Sequence, residues 1–471
     1  MSKVTKWRII IVIIAFIQVI SVQCIEHYNS PYQFGLHTSA DDASYYAPGI
    51  NWIEKGIWHD NSIGNSAYVQ RPPLLGFFHA ISYKISSEHR AIVFFLFAFL
   101  LHLIASNLFF SRLLQKTSLK NALLFSILFV SFPCFWGYLS YQLTESISGS
   151  LVIIGIFIFT RKNSASTLTA MVVFLCILYL FRPILLLLFL PIVCYLFYQQ
   201  IKTWKRFALR HLVFILIGIT SVVSWEIRKN NYTGSWFDLH PIYHETNGSL
   251  YRPLHQEFSQ LFRVWEYDSE QFHRLIDPCW QNKPINRATV YRYIQQRAVP
   301  LSGEQLYQLL NSYQQINVDV HDKITKKTQL TPSLNEIKLQ QKIEQLRQVL
   351  MQENRGMYYV ITPIKSLLQI SFSSHLNQYF FHTSLRDLWV TVVLKICCLL
   401  LITISSINVF FQLIKVQKTE QFIAFGIMSY WFYLFFIQRL NEERYLVPAI
   451  ILSYYLLAVS WRKQKRSQSF L

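Results

Sequence analysis

Charge is what this sequence has least of. Only 15% of its 471 residues are Asp, Glu, Lys or Arg, against roughly a quarter in a soluble domain. That shortage excludes an ordinary soluble enzyme. Acidic residues are scarcer still, 25 against 44 basic ones. The surplus cations fall between apolar blocks and form no continuous stripe, which argues against a nucleic-acid surface. No Cys-x-x-Cys pair occurs, so no zinc ribbon is encoded. Cys134, Cys176, Cys194, Cys397 and Cys398 lie inside apolar runs, and Cys279 stands alone in a long polar stretch, where a single thiol builds no disulfide framework. The chain has neither a Walker loop nor a G-x-G-x-x-G opening a βαβ unit, so nothing points to a cytoplasmic nucleotide site.

What the chain does have is long apolar runs. Hydrophobic residues make up 52% of it and aromatics 16%, a composition that suits membrane spans with aromatic belts. Lys3, Lys6 and Arg8 precede a first run from Ile9 to Val22. The sequence Ser21-Val22-Gln23-Cys24 offers no small residue for signal cleavage and no lipobox, so this run reads as an uncleaved helix. Further runs fall at about 91–111, 121–139, 146–160, 166–181, 184–200, 211–226, 388–412, 420–437 and 445–461. With the N-terminus inside, the cytoplasmic gaps hold Arg112, Lys116 and Lys120, then Arg161 and Lys162, then Lys202, Lys205, Arg206 and Arg210, then Lys415 and Lys418. The positive-inside rule is met throughout and gives about ten spans with both termini cytoplasmic. Residues 73–85 are apolar but short, and are expected as a helix lying on the outer surface.

The expected fold is therefore an all-α polytopic membrane protein. Residues 1–226 form an N-terminal membrane module whose first outer loop is 25–90, residues 227–386 a small helical extracytoplasmic domain, and 387–471 the last spans with a basic cytoplasmic tail. Ser333-Leu334-Asn335-Glu336 reads as a capping box and Ser302-Gly303-Glu304-Gln305 as a weaker one. Tyr358 to Phe381 reads as an amphipathic helix resting on the membrane.

Charge topology then places a set of ionisable residues on one face. Asp41-Asp42 and Arg71-Pro72-Pro73 lie in the first loop, Glu145 opens a span, and Arg182-Pro183 interrupts an apolar run. Arg228 leads into the large loop, and Glu442-Glu443-Arg444-Tyr445 begins the last span. Each has a plain structural reading. Asp41-Asp42 suits a helix cap, Arg182 can snorkel to headgroups, Glu145 can belong to a cap, and Glu442, Glu443 and Arg444 can be surface ion pairs. Together they carry more, because charges near a bilayer are costly and tend to be functional. A carboxylate that deprotonates an acceptor and guanidiniums that clamp a phosphate are what transfer from a phosphate-linked donor needs. Asp41 is the candidate base, with Asp42 and Glu145 beside it, and Arg71, Arg182, Arg228 and Arg444 are candidate phosphate ligands. A divalent metal held by Asp42, Glu145 and His59, with His37 and Asp60 nearby, stays open. Asp319-Val320-His321-Asp322 resembles metal ligands but reads more simply as a polar loop. Trp52 and Trp58 suit an aromatic belt or a sugar-stacking surface, and Asn231-Tyr232-Thr233 and Asn247-Gly248-Ser249 are outer-face sequons.

In these residues the chain resembles the GT-C superfamily, in particular the bacterial family 39 relatives of protein O-mannosyltransferases and aminoarabinose transferases. The resemblance rests on Asp41-Asp42-Ala43-Ser44-Tyr45, Arg71-Pro72-Pro73-Leu74, Thr144-Glu145, Arg182-Pro183, Arg228-Lys229-Asn230-Asn231-Tyr232-Thr233-Gly234 and Glu442-Glu443-Arg444-Tyr445 with Pro448. These short motifs run in order through most of the chain; Asp42 stands where that family usually has Glu. The resemblance implies a GT-C-like bundle and a polyprenyl-phosphate sugar donor. It also implies inversion at the anomeric carbon and Asp41 as catalytic carboxylate. The acceptor would be lipid A, lipopolysaccharide, another envelope glycan or a protein, and the location a bacterial inner membrane with the site facing the periplasm or exterior. Two rivals remain at this stage: a transporter or flippase of lipid-linked saccharides, and a non-catalytic envelope assembly protein. A transporter should show repeated halves, whereas this chain is lopsided.

Overall fold

In an apolar surrounding a backbone must satisfy its own hydrogen bonds, and long runs of Leu, Ile, Phe and Val do so as helices. A computed structural model describes residues 2–29, 36–37, 42–58, 71–160, 164–200, 209–233, 236, 253–280, 283–325, 333–372, 389–414, 418–439 and 443–468. Among these, regular structure is helical, with one isolated bridge between His37 and Tyr141. The first part holds α1 (Lys3–Asn29), α2 (Asp42–Lys55), α3 (Pro73–Ile85), α4 (Arg90–Lys116), α5 (Leu119–Ser131), α6 (Glu145–Phe159), α7 (Ala165–Phe181), α8 (Leu186–Gln200) and α9 (Leu209–Thr233). The polar part holds α10 (Pro253–Phe262), α11 (Ser269–Trp280), α12 (Arg287–Gln296), α13 (Gly303–Thr325), α14 (Leu334–Glu353) and α15 (Thr362–Phe372). Last come α16 (Trp389–Ile414), α17 (Lys418–Phe432) and α18 (Val447–Gln468).

Six stretches among the described residues are long and apolar enough to cross a membrane: Val4–Ile25, Arg90–Lys116, His211–Asn231, Val392–Ile414, Thr419–Gln438 and Arg444–Trp461. The protein is thus membrane-embedded and all-α. Four shorter apolar helices, Leu119–Ser131, Glu145–Phe159, Ser166–Phe181 and Pro183–Gln199, occupy the other expected runs. The run at 121–139 is not one helix. The Phe132-Pro133 step ends α5, because proline offers no N–H and disfavours helical geometry in the residue before it. Two 3₁₀ turns, Pro133–Phe135 and Gly137–Ser140, follow, and the Trp136 indole donates to the Val130 carbonyl at 3.0 Å. Ser118 and Ser164 cap α5 and α7 by accepting from the Asn121 and Thr167 amides.

The last helix is the axis of the bundle. Of the Arg444–Trp461 apolar window, 83% is buried, against 11% of the His211–Asn231 window in α9, which lies at the rim. Tyr454 of α18 donates to the Phe125 carbonyl at 2.7 Å and packs on Phe135. Small residues let helices approach closely, as membrane packing requires. A Cβ added at Gly426 of α17 would stand 2.1 Å from the Leu188 carbonyl oxygen of α8, and one at Gly49 of α2 would stand 2.2 Å from the Gly76 carbonyl oxygen of α3.

The polar helices have their own core, built from Phe258, Phe262, Trp265, Ile276, Leu310 and Tyr313 among others. Glu266 is buried there, accepting from Tyr293 and from the Tyr267 and Asp268 amides. The 302–305 box is the fully reciprocal one: the Ser302 hydroxyl accepts from the Gln305 amide at 3.2 Å, and the Gln305 side chain accepts from the Ser302 amide at 3.0 Å. Ser333 accepts from the Glu336 amide. Residues 319–322 lie on α13 rather than in a loop. The expected membrane-resting helix begins as a π turn, Met357–Ile361, and continues as α15; residues 373–381 fall outside the described set.

Two outcomes are expected. Gly426→Ala should lower the melting temperature of the detergent-solubilised protein, by the equivalent of about 1–3 kcal/mol for overpacking. Gly356→Ala, where an added Cβ meets nothing within 4 Å, should be neutral or mildly stabilising. The second outcome concerns pH. Burial, then the charges of His273 and Arg263, push the His255 imidazole from 6.5 down to about 3. The native side chain stays neutral, close to the Tyr313 hydroxyl at 3.1 Å, while the unfolded one takes up a proton below pH 6.5. Its contribution is therefore complete above pH 6.5 and declines as the pH falls towards 3, by at most about 1.4 kcal/mol per unit. Proteolytic nicking within 253–353 should rise through that window, and His255→Gln should flatten the dependence.

Candidate active site

Three apolar segments end where their charges meet. Glu145 is the first residue of α6. Arg182 closes α7 in extended geometry, φ −161° and ψ 97°, because Pro183 follows it. Arg444 stands in the 3₁₀ turn that leads into α18. The Arg182 Nη1 donates to Glu145 Oε1 at 2.7 Å, and Arg444 Nε lies 3.9 Å from the same oxygen. Thr144 Oγ1 donates to the other carboxylate oxygen at 3.0 Å. All three charged side chains are buried, at 4%, 8% and 7% exposure for Glu145, Arg182 and Arg444. The Tyr445 ring lies beneath both guanidiniums, 4.6 Å from Arg182 and 5.4 Å from Arg444. Tyr430 fixes this segment by donating to the Tyr445 carbonyl at 2.8 Å. Two guanidiniums on one carboxylate leave a net positive charge in a buried setting, which suits an anion.

The segment around α2, between α1 and α3, lies near this cluster. Tyr45 lies near enough to Arg182 for its hydroxyl to act on the guanidinium. Arg71 stacks over Tyr45 at 4.8 Å and its Nε donates to Ser44 Oγ at 3.2 Å. Arg71, Ser44 and Tyr45 thus form one set of contacts and Arg182, Glu145, Arg444 and Tyr445 another, with Tyr45 within electrostatic reach of Arg182. The Arg228 Nη2 donates to the Trp58 carbonyl at 2.5 Å. Trp58 in turn packs on Phe77 and covers Gly76, where a Cβ would meet the indole at 2.8 Å. Asp42 is buried at the start of α2. Asp41, His59, Asp60 and Glu442 lie outside the described residues, and nothing is described of the Glu443 side chain. Among the described residues no three His, Cys, Asp or Glu side chains group as metal ligands. Of the residues weighed for a cation, Glu145 is already taken up by its arginines.

A second polar network was missed by the sequence reading. Arg90, the first residue of α4, stacks over Tyr46 at 3.9 Å and feels the Asp42 charge. Its Nη1 lies 3.3 Å from His79 Nδ1, and His79 Nε2 lies 3.3 Å from the Gln142 carbonyl. One tautomer satisfies both contacts, with Nε2–H donating to the carbonyl and Nδ1 accepting from Arg90. Arg90 did carry a signal. A cation at a helix N-terminus opposes the macrodipole, and one on the outer side of a span opposes the positive-inside rule.

Compared with known proteins, the chain matches no family model, no curated protein and no solved structure.

Removing one member of a buried pair leaves its partner uncompensated, typically at a cost of about 3–5 kcal/mol. Glu145→Gln, which leaves two guanidiniums facing each other, should lower the melting temperature more than Arg444→Gln does. Arg182→Lys should rescue only part of the loss seen in Arg182→Gln, since an ammonium lacks the planar fork that pairs and stacks at once.

Proposed function

We propose that this chain is a membrane glycosyltransferase that takes a sugar from a polyprenyl-phosphate donor and passes it to an envelope acceptor on the non-cytoplasmic face. The observation that carries the reading is the buried Glu145–Arg182–Arg444 cluster, a net-positive group assembled from distant segments, with Arg71 stacked on Tyr45 within electrostatic reach of it. Its charge suits the phosphate of a donor whose tail lies in the bilayer. The guanidiniums hold that phosphate and take up the negative charge that grows as the glycosyl–oxygen bond breaks. The acceptor oxygen attacks the anomeric carbon from the opposite face, its proton passes to the Asp41 carboxylate, and polyprenyl phosphate leaves with inversion. Glu145 keeps the arginines in place, and Asp42 sets the start of α2 beside Arg90.

In this reading the four shorter apolar helices complete a ten-span GT-C-like bundle in a bacterial inner membrane. At about 1.5 Å per residue, 13 to 17 residues reach only about 20–26 Å, less than the roughly 30 Å of a hydrocarbon core. The turns that close them, including those bearing Glu145 and Arg182, then lie near the depth at which a lipid phosphate resides. The acceptor is lipid A, lipopolysaccharide, another glycan or a protein.

Membrane vesicles supplied with labelled polyprenyl-phosphate sugars test this. The wild-type protein should transfer label, and Asp41→Asn at equal protein level and melting temperature should lose about 10²-fold or more. Undiminished transfer by that variant removes Asp41 from its role. A wild-type protein that moves lipid-linked saccharide across the vesicle without transferring it is a transporter instead.

A further inference from the structure

Arg439 directly follows the candidate span Thr419–Gln438, at the end of the π-helical extension Tyr433–Gln438 of α17. It is buried, and its backbone adopts φ 50° and ψ 173°, a region that residues with side chains enter at a cost of about 1–3 kcal/mol. Its guanidinium lies over Tyr358 at 3.8 Å and donates to two backbone carbonyls, Phe436 and Arg263, each at 3.0 Å. The bond to its carbonyl sets residue 263 against the Arg439 guanidinium, and the Arg263 side chain lies within reach of that charge. Arg263 Nε is buried with no hydrogen-bond partner.

No carboxylate among the described residues pairs with either guanidinium. By contrast Arg274, Arg287, Arg297 and Arg347, also in the polar helices, each reach one. Two like charges set together with no counter-charge among the described residues are costly unless an anion joins them. Burial and the neighbouring Arg439 push Arg263 down to about 10, which still leaves it protonated at neutral pH.

The surroundings have inverted polarity. On the segment 357–372, Val360, Ile361, Ile364, Leu367 and Leu368 face outward, whereas Thr362 and Ser366 are buried. Thr362 Oγ1 donates to the Val264 carbonyl at 3.2 Å, next to Arg263. Phe432, Phe436 and Ile437 at the end of α17 are exposed as well. An apolar wall beneath paired guanidiniums is the profile of a phosphate at headgroup depth.

We propose that Arg263 and Arg439 form a binding site for a phosphate group, which ties the polar helices to the outer end of α17. The site uses none of the residues assigned to sugar transfer, and it stands or falls apart from that reading.

The test uses the full-length protein, delipidated in a maltoside detergent that contains no phosphate. Its melting temperature is followed against inorganic phosphate and against dioctanoyl phosphatidylglycerol, with sodium chloride matching ionic strength. The wild type should show a saturating rise of about 2–4 °C. Arg263→Gln should abolish that rise while melting no lower than wild type without ligand, because it removes a repulsion and breaks no side-chain hydrogen bond. Arg292→Gln, which removes an exposed cation of α12, should keep the rise. A response to the lipid alone assigns the phosphate to a headgroup, and an equal response to inorganic phosphate assigns it to a soluble anion; both support the site. No saturating rise in the wild type, or the same rise in Arg263→Gln, overturns it.

Discussion

A carboxylate buried between two guanidiniums constrains everything around it. Glu145 cannot be placed without Arg182 and Arg444, and those residues can be reached only if α6 begins, α7 ends and α18 begins at the same end of the bundle. The alternation of helix direction is thus fixed by electrostatics as much as by apolar packing. Pro183 holds Arg182 extended, Tyr430 holds Tyr445, and Tyr445 lies under both cations. None of these residues would be worth ordering in a lipid-facing helix. They make sense as supports for a charge kept away from water.

The pattern of helices was largely legible because hydropathy and punctuation agree. Runs of Leu, Ile and Phe, with Pro183 between two of them, mark α6, α7 and α8 closely. The run at 121–139 misled because composition alone cannot see that Pro133 ends a helix and that the residues after it turn inward. Pairing was legible in part. Arg182 and Arg444 were chosen from charge topology, and both reach Glu145. Arg228 was chosen by the same logic and instead holds the Trp58 carbonyl, since topology assigns a face and not a partner. His79 was invisible as a partner. Lying within a short apolar helix, it takes its meaning only from Arg90 and the Gln142 carbonyl, which the sequence sets far apart.

Two kinds of cationic site emerge and differ in construction. Around Glu145 the guanidiniums are partly neutralised, so the cluster keeps a residual positive charge. At Arg263 and Arg439 no acid among the described residues intervenes, and the backbone of Arg439 is held in a strained form. An uncompensated pair suits a lasting occupant, whereas a compensated one suits turnover.

The short helices have a consequence for the membrane itself. A protein whose α5 and α8 have 13 and 15 residues, in a bundle that also holds helices of 25 to 27, presents an uneven rim. Lipids along the short side must compress or tilt to meet it, at a fraction of a kcal/mol per ångström of mismatch. Such a dimple draws headgroups inward on one flank only. The molecule would therefore have a thinner flank on one side, and its fit to the bilayer would change with acyl-chain length even with every side chain unchanged.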